Sequence, residues 1–153
     1  MNSLTEYKIL LDSTYILPIL GIEVEDIEEV LTILRELSRN GKTIFYYTEF
    51  NIIEILGKMS KEDYDPNIVS KGLSIIQEEF KLTNPTTEGY IKALELKKKG
   101  FNDLIDLLLY TTSTTRNLAF LTRDDKLINF LKQQGEDTKN ILHEKEFINK
   151  HTA

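Results

Sequence analysis

The sequence predicts a three-layer α/β/α domain built on a parallel, doubly wound sheet of four to five strands. Two observations lead there. Strand-like and helix-like patterns alternate along the chain, and strands separated by helices join in parallel. The first strand-like run, Ile9-Leu10-Leu11, is continuously apolar, as expected where both faces of a sheet are covered. No repeat and no long linker divides the 153 residues, so the expectation is one domain, 1–153.

Each element has its own warrant. A helix is expected from about Glu25 to Arg39, because Ile27, Val30, Leu31, Leu34 and Leu37 share one face and Gly41 follows. Thr43 to Tyr47 is β-branched and aromatic, which favours a second strand. The next helix spans roughly Glu49 to Met59. Asp65-Pro66 reads as an N-cap with proline at the first helical position, opening a helix toward Glu79. Phe80 to Thr83 is a weak third strand, stopped by Asn84-Pro85. Helices are expected over Thr87 to Lys99, ended by Gly100, and over Asp103 to about Thr115. Ala119 to Thr122 is the fourth strand. Asp124 or Asp125 caps a helix that Gly135 ends, and Asn140 to His143 offers a fifth strand.

Composition narrows the function classes. The chain is 41% hydrophobic and 29% charged, as in soluble globular domains. With no cysteine it has no disulfide, thiolate nucleophile or cysteine-based zinc site, which fits a reducing, cytoplasmic setting. Polar Met1 to Lys8 gives no signal-peptide pattern, and no apolar stretch is long enough for a membrane span. A net charge of −6 gives no global attraction for nucleic acid, so any such binding must be local or metal-mediated.

Four carboxylates stand out because each sits beside apolar sequence that ought to be buried. Asp12 ends the first strand, Glu54 lies within Ile52-Ile53-Glu54-Ile55-Leu56, Asp106 lies within Leu104 to Leu109, and Asp124 follows the fourth strand. A carboxylate taken from water needs a proton, a partner charge or a metal. Four such acids suggest one cluster holding a hard divalent cation, which favours oxygen ligands.

Each has a plainer reading. Asp12 alone suits a strand-end turn, and Glu54 the solvent stripe of an amphipathic helix. Asp103, Asp106, Tyr110 and Ser113 form the one polar stripe of an apolar helix, which could simply face water. Asp124 and Asp125 both suit capping. Asp125 keeps that role, whereas in Asp124 capping and metal binding are compatible. Gly41-Lys42-Thr43 is no phosphate loop, because it joins a helix to a strand. His143 and His151 match no zinc spacing, and Lys97-Lys98-Lys99 most simply ends a helix.

Taken in order, these segments resemble a PIN domain, a small metal-dependent ribonuclease fold. Leu11-Asp12-Ser13-Thr14 is similar to the family's opening strand ending in Asp. Thr48 through Glu54-Ile55-Leu56 resembles its strand-then-helix segment, and Asp106 to Ser113 its apolar helix opening with Asp. Leu121-Thr122-Arg123-Asp124 is similar to its fourth-strand signature. The spacing from Asp106 to Thr122 favours Asp106 over Asp103 as the matching acid. Thr14 departs from a frequent Asn, and Thr111 to Ser113 from an alanine-richer run.

The resemblance implies an endoribonuclease whose Mg²⁺ or Mn²⁺ is held by Asp12, Glu54, Asp106 and Asp124, with Asp103 as an additional acid. Ser13 or Thr122 would orient a water or an acid. Lys97 to Lys99, Arg116, Arg123 and Lys126 are candidate RNA-backbone contacts. It further implies a homodimer, and a toxin restrained by a small antitoxin. Two other classes compete: a non-catalytic PIN-like module binding RNA or protein, and a phosphate-accepting receiver. The receiver fits poorly, because Leu11 stands where it needs a second acid beside Asp12.

Overall fold

Five strands, β1 (Tyr7–Leu11), β2 (Thr43–Tyr47), β3 (Lys81–Leu82), β4 (Ala119–Thr122) and β5 (Ile141–His143), form one parallel sheet. The computed structural model describes residues 7–152. The strand order is β3-β2-β1-β4-β5. The chain therefore winds outward one way from β1 through β2, then returns to the other side of β1 as β4. The order reverses between β1 and β4, where open parallel sheets hold their ligands.

Among the described residues, seven α-helices cover the sheet: α1 (Glu28–Asn40), α2 (Glu49–Met59), α3 (Pro66–Glu79), α4 (Thr87–Lys98), α5 (Leu104–Arg116), α6 (Asp125–Gln133) and α7 (Glu144–His151). Side chains alternate along β1. Ile9 and Leu11 enter a core with Val30 and Leu34 of α1, Ile76 of α3 and Phe147 of α7. Leu10 enters the opposite core with Leu96 of α4, Leu107 of α5 and Leu127 of α6. The next residue, Asp12, continues this alternation onto the α5 side. In β4, Phe120 faces the α5 core and Leu121 the other, so Thr122 falls on the same side as Asp12. Period-two geometry alone thus aims both toward α5.

α5 approaches α4 closely because Gly89 has no side chain. A Cβ there would lie 2.8 Å from Pro85 Cβ and 3.1 Å from Thr115 Oγ1. Thr111, Thr112 and Ser113 are fully buried in α5 and return their hydroxyl protons to its own carbonyls, for example Thr112 to Leu108 at 2.6 Å. The departures from an alanine-rich helix are thereby accommodated without orphaned polar atoms.

Several boundaries differ from expectation. α1 begins at Glu28, not near Glu25, because Asp26 adopts φ 53° and the Glu25 and Asp26 carbonyls accept from Arg123 instead of building a helix. Asp103 caps α5 from outside, its side chain accepting the Asp106 N–H. Of the polar stripe Asp103, Asp106, Tyr110 and Ser113, only Asp103 is exposed. Tyr110 is buried and donates to the Asp137 carbonyl at 2.6 Å, and Ser113 is fully buried. Two 3₁₀ turns, Ser13–Tyr15 and Leu17–Leu20, and the whole of α7 add to the expected elements. Among the described residues, no helix is long and apolar enough to cross a membrane.

Candidate metal centre

The site grows from the carboxyl ends of β1 and β4. Leu11 pairs with Leu121, and the Asp12 N–H continues the ladder to the Leu121 carbonyl at 3.2 Å. Asp12 is buried, and its Oδ2 accepts the Thr122 hydroxyl proton at 2.8 Å. The same Thr122 oxygen accepts the Asp124 backbone N–H at 3.1 Å. Asp124 caps α6 by accepting the Leu127 N–H at 3.1 Å through Oδ1. One oxygen caps while the half-buried carboxylate still meets Asp106, so the two roles coexist.

α5 and α2 supply the remaining acids. Asp103, at the N-cap of α5, accepts the Asp106 backbone N–H at 3.2 Å, which fixes its own carboxylate at the helix's first turn, where Asp106 also sits. Glu54 arrives one turn into α2. One oxygen each from Glu54, Asp103 and Asp106 lie within 4.8 Å of one another. The exposed, apolar side of α2 belongs to Ile53 and Leu56, whereas Glu54 is half-buried. Ile55 and Met59 stay buried, so α2 carries apolar side chains both in the core and on its exposed side.

The acids act on one another. Burial pushes the Asp12 carboxyl up to about 6, the Thr122 hydrogen bond opposes this, and the Glu54 charge adds to it. Burial also pushes Asp106 up, to about 9, reinforced by its hydrogen bond with Asp124 and by the charges of Asp12, Asp103 and Asp124. Burial and mutual repulsion disfavour the charged forms, and a cation at the cluster would offset both. Crowded oxygen ligands, buried at Asp12 and Asp106, half-buried at Glu54 and Asp124 and exposed at Asp103, fit a hard divalent ion.

Other candidates fall elsewhere. Ser13 is fully buried, and its Oγ meets Asn51 Nδ2 at 3.0 Å, so it braces α2. Asp125 is exposed and pairs with His143 Nε2 at 2.9 Å, outside the cluster. The Arg123 guanidinium is committed to Glu144 and two carbonyls, which removes it as a phosphate contact. Arg116 binds the Asn84 carbonyl at the far end of α5 from Asp106. Lys97 donates to the Asn102 carbonyl, while Lys126 is exposed in the first turn of α6.

Asn51 was not singled out by sequence reasoning, although it is fully buried. Its Nδ2 donates to the Leu11 carbonyl at 3.1 Å and its Oδ1 accepts the Thr48 N–H at 2.8 Å. Asn51 therefore ties the start of α2 to the end of β1 and sets the approach of Glu54 to Asp12. Thr48-x-x-Asn51 is a capping-box spacing with Asn in the third position, and that pattern could have revealed it.

The PIN domain family model matches residues 9–132. The chain belongs to the PIN domain family. Solved structures of similar fold include VapBC2 from Rickettsia felis, bound to a DNA fragment from its promoter. It has TM-score 0.61 and 15% identity, over 90% of this chain and 97% of that one. PAE2754 from Pyrobaculum aerophilum has TM-score 0.58 and 14% identity, over 94% and 88%. FitAcB from Neisseria gonorrhoeae has TM-score 0.54 and 14% identity, over 81% and 93%. No curated protein matches the chain in sequence. The five-stranded parallel sheet flanked by helices is thus the fold of this PIN domain.

Proposed function

We propose that this PIN domain is a divalent-metal-dependent endoribonuclease, with Asp12, Glu54, Asp106 and Asp124 as its catalytic acids and Asp103 joining them at the metal. The observation that carries this reading is the convergence of these acids from four separate segments onto the reversal point of the sheet. Mg²⁺ or Mn²⁺ would be held there, supplying Lewis acidity toward a phosphodiester and lowering the pKa of a water molecule. The chain's own residues do the rest. Thr122 holds Asp12 in one orientation, and Asp103 and Asp124 crowd Asp106 so that only a cation or a proton quiets the cluster. Held by these acids, such an ion would reverse the local sign of charge and allow an acidic protein to accept an RNA phosphate. Lys97 to Lys99 and Lys126 remain the candidate contacts for the RNA backbone.

The same reading makes the protein a cytoplasmic toxin restrained by a small antitoxin. The fold shared with VapBC2 and FitAcB supports that choice. A DNA-binding antitoxin encoded immediately upstream is the expected genomic setting. A homodimer is proposed through the exposed apolar residues Ile53 and Leu56 of α2 and Tyr90, Ile91 and Leu94 of α4. These helices meet through the edge-to-face pair Phe50–Tyr90, with centroids 6.2 Å apart.

The test is cleavage of RNA by purified protein with Mg²⁺, Mn²⁺ or a chelator, comparing wild type with Asp106→Asn. Metal-dependent cleavage lost in the variant is expected. Chelator-resistant cleavage overturns the mechanism. An inert wild type on every RNA tried favours the non-catalytic module.

A further inference from the structure

The family match ends at residue 132, yet a side chain beyond it bonds to residues that neighbour Asp12 and Asp124 in the chain. Glu144, the first residue of α7, accepts the Tyr15 hydroxyl at 2.8 Å through Oε1. The same oxygen accepts Arg123 Nε at 2.9 Å, and Oε2 accepts Arg123 Nη2 at 3.1 Å. Tyr15 lies three residues after Asp12, and its backbone N–H donates to the Asp12 carbonyl at 3.0 Å. Arg123 stands between Thr122 and Asp124 in the chain. One carboxylate thus grips two of the four segments that carry an acid of the site, those of Asp12 and Asp124.

The grip is itself rigid. Arg123 Nη1 and Nη2 also donate to the Glu25 and Asp26 carbonyls, at 2.8 and 3.0 Å. The start of α7 is fixed by Phe147, which is fully buried, and by His143, whose Nδ1 accepts the Lys145 N–H. A forked guanidinium–carboxylate pair fixes orientation as well as distance.

We propose that Glu144 is a positioning residue of the acid cluster, fixing the separation of Asp12 and Asp124 through Tyr15 and Arg123. This rests on the metal reading above. Groups that orient metal ligands from outside tune metal affinity, and their loss typically weakens it at least tenfold. A merely structural tie would lower stability and leave the affinity of the folded protein unchanged.

The full chain is titrated with Mn²⁺ by calorimetry, and its chelated form is melted in parallel. Tyr15→Phe and Glu144→Gln keep side-chain shape and should weaken Mn²⁺ binding by about tenfold. Phe147→Leu loosens α7 without touching the carboxylate, and should lower the melting temperature while leaving Mn²⁺ affinity within twofold. Unchanged affinity in both Tyr15→Phe and Glu144→Gln overturns the bracing role while the metal reading stands. Equal weakening in Phe147→Leu overturns it too, since any loosening of α7 would then suffice. Absence of Mn²⁺ binding by the wild type overturns the metal reading and the bracing role together.

Discussion

The Thr122 hydroxyl donates to Asp12 Oδ2 at 2.8 Å and accepts the Asp124 backbone N–H at 3.1 Å, so one oxygen couples two acids 112 residues apart in sequence. β1 and β4 are neighbours, and their alternation turns residues 12 and 122 toward the same layer. Coupling by a hydroxyl rather than a charge leaves the acids free to meet a cation.

Thr122→Val should therefore do two things. The buried Asp12 oxygen and the Asp124 N–H each lose a partner, which should cost about 1–3 kcal/mol in urea denaturation. The Asp12 carboxyl also loses the bond that lowers its pKa, so it ionises at higher pH than in wild type. If cleavage requires ionised Asp12, the acidic limb of its pH profile shifts upward. Thr122→Ser should restore both properties. A stability loss with an unmoved acidic limb would separate the hydroxyl from the chemistry.

Much of this arrangement was legible before the structure. β2 and β4 fall at the residues expected, because short β-branched and apolar runs leave little choice of register. Asp12, Glu54, Asp106 and Asp124 stood out because acids inside apolar runs are costly. What stayed hidden depends on partners far away in sequence. The start of α1 is set by Arg123, nearly 100 residues on, and no local pattern at Glu25 announces that. α7 has one fully buried anchor, Phe147, among mostly charged neighbours, so its periodicity is faint. The α5 stripe left two readings open in sequence, because nothing local shows that Tyr110 and Ser113 are buried, Tyr110 with its hydroxyl bonded to a backbone carbonyl.

The raised carboxyls predict how stability follows pH without metal. Asp12 titrates near 6 in the folded chain, against an ordinary value of about 4 for an unfolded aspartate. Between those values the folded state binds more protons than the unfolded state, so stability falls as pH rises. For Asp12 the loss is on the order of 3 kcal/mol, complete above pH 6. Asp106, raised to about 9, extends the decline toward alkaline pH. Asp12→Asn removes the first part and eases Asp106 by removing a neighbouring charge. Chelated wild type should thus lose more stability than chelated Asp12→Asn between pH 4 and 7, measured by melting. Parallel profiles would contradict the burial assigned to Asp12.

The apolar side of α2 and α4 predicts association. Ile53 is 61% exposed and Leu94 is 56% exposed, on helices that already pack through Phe50 and Tyr90. A charge placed in a dry interface between copies is left without a partner and costs several kcal/mol. Leu94→Glu and Ile53→Glu should therefore shift the protein from dimer to monomer in sedimentation equilibrium without lowering its melting temperature at low concentration. A wild type that is monomeric at high micromolar concentration would remove the dimer.

Asp12 and Asp125 offer the sharpest contrast for the chemistry. Asp12 is buried among the acids, whereas Asp125 is exposed and bonded to His143. Asn at position 12 keeps the shape of the side chain but removes the charge that draws a cation. The Thr122 hydroxyl retains an oxygen to bond. Metal-dependent RNA cleavage should be abolished in Asp12→Asn and largely preserved in Asp125→Asn. Thermal melts give a second readout that needs no substrate. A ligand at about one hundred times its Kd stabilises the folded state by roughly 2.7 kcal/mol, so saturating Mn²⁺ should raise the wild-type melting temperature clearly. Asp125→Asn should show the same rise, and Asp12→Asn little of it. An Asp12→Asn protein that cleaves RNA, or gains as much stability from Mn²⁺ as wild type, would place the ion away from this carboxylate.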